Sequence, residues 1–164
     1  MKKLFIIAMI FWGVTSIYAQ KVTQGSFRAL ASEKNVSASI DYQEAKIDKV
    51  PFEVFVEGEE EWDKDYKDIQ LKFVKAANRT GGGLMYVTKE TGNYKLVFKA
   101  KEVDDDGETT GDLLLLDKDN KVIGVAEKFH ARGGRFGSQT NLMGDAAERL
   151  GKKVGSFIVK AVTR

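Results

Sequence analysis

Phe129-His130-Ala131-Arg132-Gly133-Gly134-Arg135-Phe136-Gly137 gathers the side chains best able to do chemistry: the chain's only histidine, two arginines and three glycines. A glycine-rich turn between a strand and a helix lets backbone N–H groups converge on an anion, and guanidinium groups add charge and paired donors. Arg132, Gly134, Arg135 and Asn141, the last at the start of the following helix, are therefore the candidate ligand-binding residues. The spacing is not G-x-G-x-x-G, no G-x-x-x-x-G-K-[ST] occurs, and no βαβ unit flanks the turn. The competing reading is a plain connection whose glycines adopt positive φ.

The remaining candidates point away from catalysis. A catalytic or metal-binding histidine needs partners, and the sequence offers His130 neither a second histidine nor a cysteine. It reads as a structural residue at a strand end, at most a pH-sensitive group. Asp104-Asp105-Asp106-Gly107-Glu108 and Asp117-Lys118-Asp119-Asn120 resemble calcium loops at first sight. Neither has the EF-hand order of acids at positions 1, 3 and 5 with glycine at 6, so both read as hairpin turns. The acidic run Glu57 to Glu61 reads as a solvated helix face. No G-x-S-x-G and no H-E-x-x-H is present. No catalytic residue, metal centre or cofactor is assigned, and the polar groups are expected to be dispersed for solubility rather than gathered.

The amino-terminal segment has the form of an export signal. Lys2 and Lys3 precede an apolar run from Leu4 to Val14, and Ile17 and Ala19 occupy the two positions a signal peptidase reads. Cleavage after Ala19 leaves residues 20–164 as one domain of 145 residues. The run is shorter than the roughly 20 residues of a membrane span, and no later segment is apolar enough, so no transmembrane segment is expected after cleavage. Lys2 and Lys3 leave with the signal, so 26 basic and 24 acidic residues become 24 of each. A balanced domain lacks the basic surplus of nucleic-acid binders. The absence of cysteine rules out disulfides and the lipid-modified cysteine of a lipoprotein. These features predict a periplasmic or secreted protein of a Gram-negative bacterium.

The elements that must position the turn are strands first and a helix last. Val36 to Tyr42 alternates apolar and polar residues, as a half-buried strand does. Pro51 marks a helix start, and Phe52, Phe55, Val56, Trp62, Tyr66, Ile69, Phe73 and Ala77 form one stripe, kinked at Gly58. The alternative makes Phe52–Val56 a short strand. Leu84 to Thr88 is a brief strand, and Tyr94 to Val103 a long one with Leu96, Phe98, Ala100 and Val103 on its inner face. Leu113 to Leu116 is a central strand and Val122 to Phe129 its return. The closing helix runs from about Leu142 to Val162, with Asn141 as its cap. Gly144, Ala147, Gly151 and Gly155 make a stripe of small residues on it, which marks a close neighbour: the sheet, or a partner helix. The sum is an α+β fold, a mainly antiparallel sheet of four to five strands with two helices on one face, in the order β-α-β-β-β-α.

"ASIDYQEAKIDKVPFEVF" and "GDLLLLDKDNKVIGVAEKFHARGGRFGSQTNLMGDAAERLGKKVGSFIVKAV" resemble small exported α+β proteins of Bacteroides-type bacteria. The second stretch is similar in layout to envelope domains such as the periplasmic part of the curli-secretion lipoprotein CsgG and the amino-terminal domain of TolB. The resemblance implies a sheet with helices on one face. It also implies a non-enzymatic role in envelope assembly or interaction, with an envelope protein or a second copy as partner. It carries over no active-site residue. The alternative function is a small-ligand or anion-binding module built on the glycine-rich loop.

Overall fold

The computed structural model describes residues 20–82, 85–87 and 92–163. The export signal assigned to residues 1–19 lies outside them, as do the two end positions of the brief strand expected at 84–88. The elements run β1 (Lys21–Gly25), a 3-10 turn (Arg28–Ser32), β2 (Asn35–Asp41), β3 (Lys46–Ile47), β4 (Val50–Pro51), α1 (Phe52–Glu57) and α2 (Trp62–Thr80). Then follow β5 (Met85–Val87), β6 (Lys95–Val103), β7 (Thr109–Leu116), β8 (Val122–Ala131) and α3 (Gln139–Thr163).

The class is α+β, but the sheet is larger and more mixed than expected. Its order is β1-β8-β7-β6-β2-β5, with the small β3–β4 hairpin attached to β6. β6, β7, β8 and β1 pair antiparallel, whereas β2 runs parallel to both β5 and β6. Among the described residues, eight strands and three α-helices therefore stand where four to five and two were expected. The additional strands have no apolar alternation to betray them. Every residue of β1 is exposed, and β3 and β4 hold two residues each around a turn with positive φ at Asp48 and Lys49.

One sheet face is covered and builds the core. Leu96, Phe98, Ala100 and Val103 are all buried on β6, as read from the sequence. Val103 takes the inner position because a bulge between Ala100 and Glu102 shifts the alternation by one. Leu113 and Leu115 of β7 and Ala126 and Phe129 of β8 extend this face, against Phe73 of α2 and Leu150, Val154 and Ile158 of α3. Each of the larger side chains among these contributes about 1.5–3 kcal/mol on leaving water.

Phe52–Val56 is helical, but Gly58 does more than kink the stripe. α1 ends there with Gly58 N–H bonded to the Phe55 carbonyl, and α2 starts afresh at Trp62. Trp62 ties the halves together, with its ring 5.5 Å from Phe52, 5.8 Å from Phe55 and 5.4 Å from Tyr66. The glycines of the small-residue stripe of α3 lie against α2 of the same chain rather than against the sheet. A methyl group on Gly151 would overlap the Phe73 carbonyl oxygen and come within 2.9 Å of Ala76, and one on Gly155 would meet Thr80 and Ala77. These glycines let the two helix backbones approach closely.

Helix side chains also satisfy strand backbone that has no strand neighbour. β5 pairs β2 only at Asn35–Ser37. Further along, the Gln70 amide donates to the Ile40 carbonyl (2.6 Å) and its oxygen accepts the Ile40 N–H (3.0 Å). An amide side chain thus stands in for a strand.

Candidate functional site

The site grows from the place where β8 outruns its neighbour. β1 pairs β8 from Gly124 to Glu127, and among the described residues no strand extends along the last residues of β8 on that side. Along the same stretch Glu127 and Lys128 together oppose the single residue Asp112 of β7, and Lys128 has φ of 67°. Past this bulge Phe129 and Ala131 point inward, where both are buried, and His130 is half-exposed.

α3 closes the open side. Lys153 Nζ donates to the His130 carbonyl, and Arg149 Nη1 donates to the carbonyls of Arg132 and Gly133, the first at 2.8 Å. The last strand carbonyls and the loop are thereby pinned to the helix by two cations. Gly133 is required here, because a Cβ would run into the carbonyl of Asp106 in the β6–β7 turn. Gly137 has φ of 125°, a conformation few other residues adopt.

The result is a hollow of about 1140 Å³ between the β6–β7 turn, the end of β8, the glycine loop and α3. Five cations line it: Arg132 and Arg135 from the loop, and Arg149, Lys152 and Lys153 from the helix. Asp106 and Glu108 face them. His130 is not alone, as the sequence suggested, because its Nε2 lies 2.8 Å from Glu108 Oε1. Ionisable groups from three distant segments meet around the imidazole, which corrects the expectation of dispersed polar groups. Phe136, 90% exposed, stands at the lip.

Of the four candidate residues, Arg132, Gly134 and Arg135 line the hollow and Asn141 does not. Ser138, not Asn141, caps α3: its Oγ accepts the Asn141 N–H (3.3 Å) and its carbonyl accepts that of Leu142 (3.1 Å). The hollow is built along the middle of the helix, so anion binding there would use side-chain cations rather than the helix amino terminus. No local pattern in the sequence marks Arg149, Lys152 and Lys153 as part of this site.

Glu148 lies beside the hollow and organises one of its lysines. Its carboxylate is 2.8 Å from Lys152 Nζ and 2.9 Å from Arg79 Nη2. The Lys152 hydrogen bond, then that of Arg79, hold the carboxyl below its ordinary range. The two acidic segments act as hairpin turns. Asp104 Oδ1 accepts from the N–H of Asp106 and Glu108, and Asp117 Oδ1 from those of Asp119 and Lys121.

No protein-family model matches the chain, and no curated protein is similar to it. Among solved structures it is similar to the PelC dodecamer from Paraburkholderia phytofirmans. That match has 19% identity and a TM-score of 0.45, over 84% of this chain and 96% of that one. It is also similar to a protein of the DUF330 family from Xanthomonas campestris, with 13% identity and a TM-score of 0.41, over 77% of this chain and 84% of the other.

Proposed function

We propose that this is an exported, non-enzymatic binding protein of the bacterial envelope, and that the hollow beside His130 receives an anionic group of its partner. The observation that carries the reading is the convergence of five cations from two elements on one concave surface, with the loop backbone already fixed by Arg149. Preorganised guanidinium groups suit carboxylate and phosphate oxygens. The export signal supplies the location. The lining supports a binding role over catalysis: a carboxylate–imidazole pair is present, but none of the lining residues carries a hydroxyl or thiol nucleophile.

The test is thermal unfolding and calorimetric titration with three probes: inorganic phosphate, citrate and a short poly-glutamate peptide. At least one probe is expected to raise the melting temperature of the wild type, as a ligand bound only by the folded state must. The double variant Arg132→Ala/Arg135→Ala should fold normally and lose that response. A wild type indifferent to all three probes, or a double variant that responds equally, would overturn the reading.

A further inference from the structure

The hollow does not end at Lys152 and Lys153. The same two lysines line a second depression of about 740 Å³ between α3 and β1. It adds Lys21, Arg28 and Lys160, with Ser26 and Ser156 between them. Arg149, Lys152, Lys153, Ser156 and Lys160 follow one another at helical spacing and stand in one stripe of α3. At a rise of 1.5 Å per residue the stripe is about 16 Å long. The two depressions form one trough, lined by the five cations of the first and three more of the second together with Asp106 and Glu108, with Glu148 paired to Lys152 beside it.

The compensating charge is gathered in one place. Residues 53–68, which span α1, the break at Gly58 and the first turns of α2, hold eight carboxylates against Lys64 and Lys67. Six of the eight carboxylate residues are exposed, and none is buried. With Glu148 counted, the trough therefore carries an excess of five positive charges and the helix corner an excess of six negative ones. A chain with 24 residues of each sign beyond the export signal could have interleaved them; here they are segregated.

They also lie toward opposite edges of the sheet. The trough follows β1 and β8, whereas α2 packs over β2 and β5 and α1 beside β3. Each surface carries exposed apolar side chains among its charges: Phe136 and Val22 in the trough, Val54 on the corner. Two different, complementary patches at opposite edges of one molecule are the requirement for a heterologous, head-to-tail contact.

We infer that the basic trough receives the acidic α1–α2 corner of a second copy of this chain, so that copies add in one direction. The inference rests on the anion-binding reading above and names the anion's source. Each end of an assembled row keeps one free surface, so the row grows until rotation closes it into a ring.

Sedimentation of the purified chain tests it. At about 0.02 M salt the average mass should rise with concentration above that of a single chain. It should fall back at about 0.5 M salt, where charges are screened beyond a few ångströms. A trough variant, Arg135→Glu/Lys160→Glu, and a corner variant, Glu57→Lys/Glu60→Lys, should each sediment as a monomer under the same conditions, because each double reversal removes four charges of the excess on one surface. Mixed in equal amounts, the two should associate again. A control, Lys34→Glu/Lys118→Glu, lowers the net charge as much as the trough variant does, at other exposed positions, and should associate as the wild type does. Self-association that ignores salt and the reversals, or variants that fail to associate on mixing, would overturn the inference. A chain that is monomeric at all salts but responds to phosphate, citrate or poly-glutamate through Arg132 and Arg135 would overturn it while leaving the proposed function standing. A monomer that responds to none of these would remove both.

Discussion

Gly151 of α3 rests directly on the Phe73 carbonyl of α2, with no room between them for a methyl group. This contact sets the separation of the two helices that cover the sheet.

Gly151→Ala should therefore destabilise the fold, although alanine is the better helix former. The propensity gain of about 1 kcal/mol is outweighed by the overpacking cost of about 1–3 kcal/mol. The new atom meets backbone, which cannot rotate away. Gly58→Ala should do the opposite: Gly58 has φ of −89°, and its nearest neighbour to an added methyl is the Phe55 carbonyl oxygen at 3.5 Å. There the substitution restricts the unfolded chain at no structural cost and should stabilise by about 0.4–1 kcal/mol. Thermal or urea unfolding of both variants beside the wild type checks the two signs together.

Arg149 is the peg of the glycine loop. Arg149→Ala should cost about 1 kcal/mol for the charge-assisted bonds to the Arg132 and Gly133 carbonyls, which are partly exposed. Hydrogen exchange should accelerate at residues 133–137 and stay unchanged in β7. Arg149→Lys should restore it only in part, because an ammonium group lacks the planar fork that reaches two carbonyls at once.

Tyr42 is fully buried, and its hydroxyl has no hydrogen-bond partner among the described residues. Burial, with a smaller effect of Tyr66, pushes its ionisation well above the ordinary tyrosine range. The raised value means that the folded state is favoured while the phenol stays protonated. That advantage fades as pH rises past the unfolded value near 10. Tyr42→Phe should be neutral or stabilising by up to about 1 kcal/mol at pH 7. It should also reduce the alkaline loss of stability above pH 10, read from melting curves across pH 8–11.

Glu148 works in the opposite direction on the pH scale. Its lowered ionisation, caused by Lys152 and then Arg79, gives stability that is present above the ordinary carboxylate range and is lost as pH falls through its folded value. Because the group is largely solvated, the contribution stays below about 1 kcal/mol. Glu148→Gln should lower the melting temperature slightly at pH 7, match the wild type near pH 3, and converge with it at high salt.

What could be read from the sequence is what local pattern controls. The inner face of β6 was legible because Leu96, Phe98 and Ala100 alternate, and Val103 could be added because it is the next apolar residue available to a bulged strand. The hairpin turns at Asp104 and Asp117 were legible because the backbone bonds they accept lie within four residues. The partner of the glycine stripe was not. Small side chains announce a close approach without saying what approaches, and sheet, α2 and a second molecule all fit the same spacing. β1 escaped because its pairing is all backbone. The cations of α3 could be placed on a helix, but their meeting with Arg132 and Arg135 depends on how far β8 extends past β1. That distance is set by register, which no local pattern states.

The extra residue at Lys128 separates the packing of this strand end from its aim. If it were deleted, Glu127 alone would stand opposite Asp112, and plain alternation would still send Phe129 and Ala131 inward and His130 outward. The core would keep its side chains, while the bend that a bulge gives its strand would go with the residue. One codon at this point of the gene therefore steers the imidazole's rim without touching the oil beneath it.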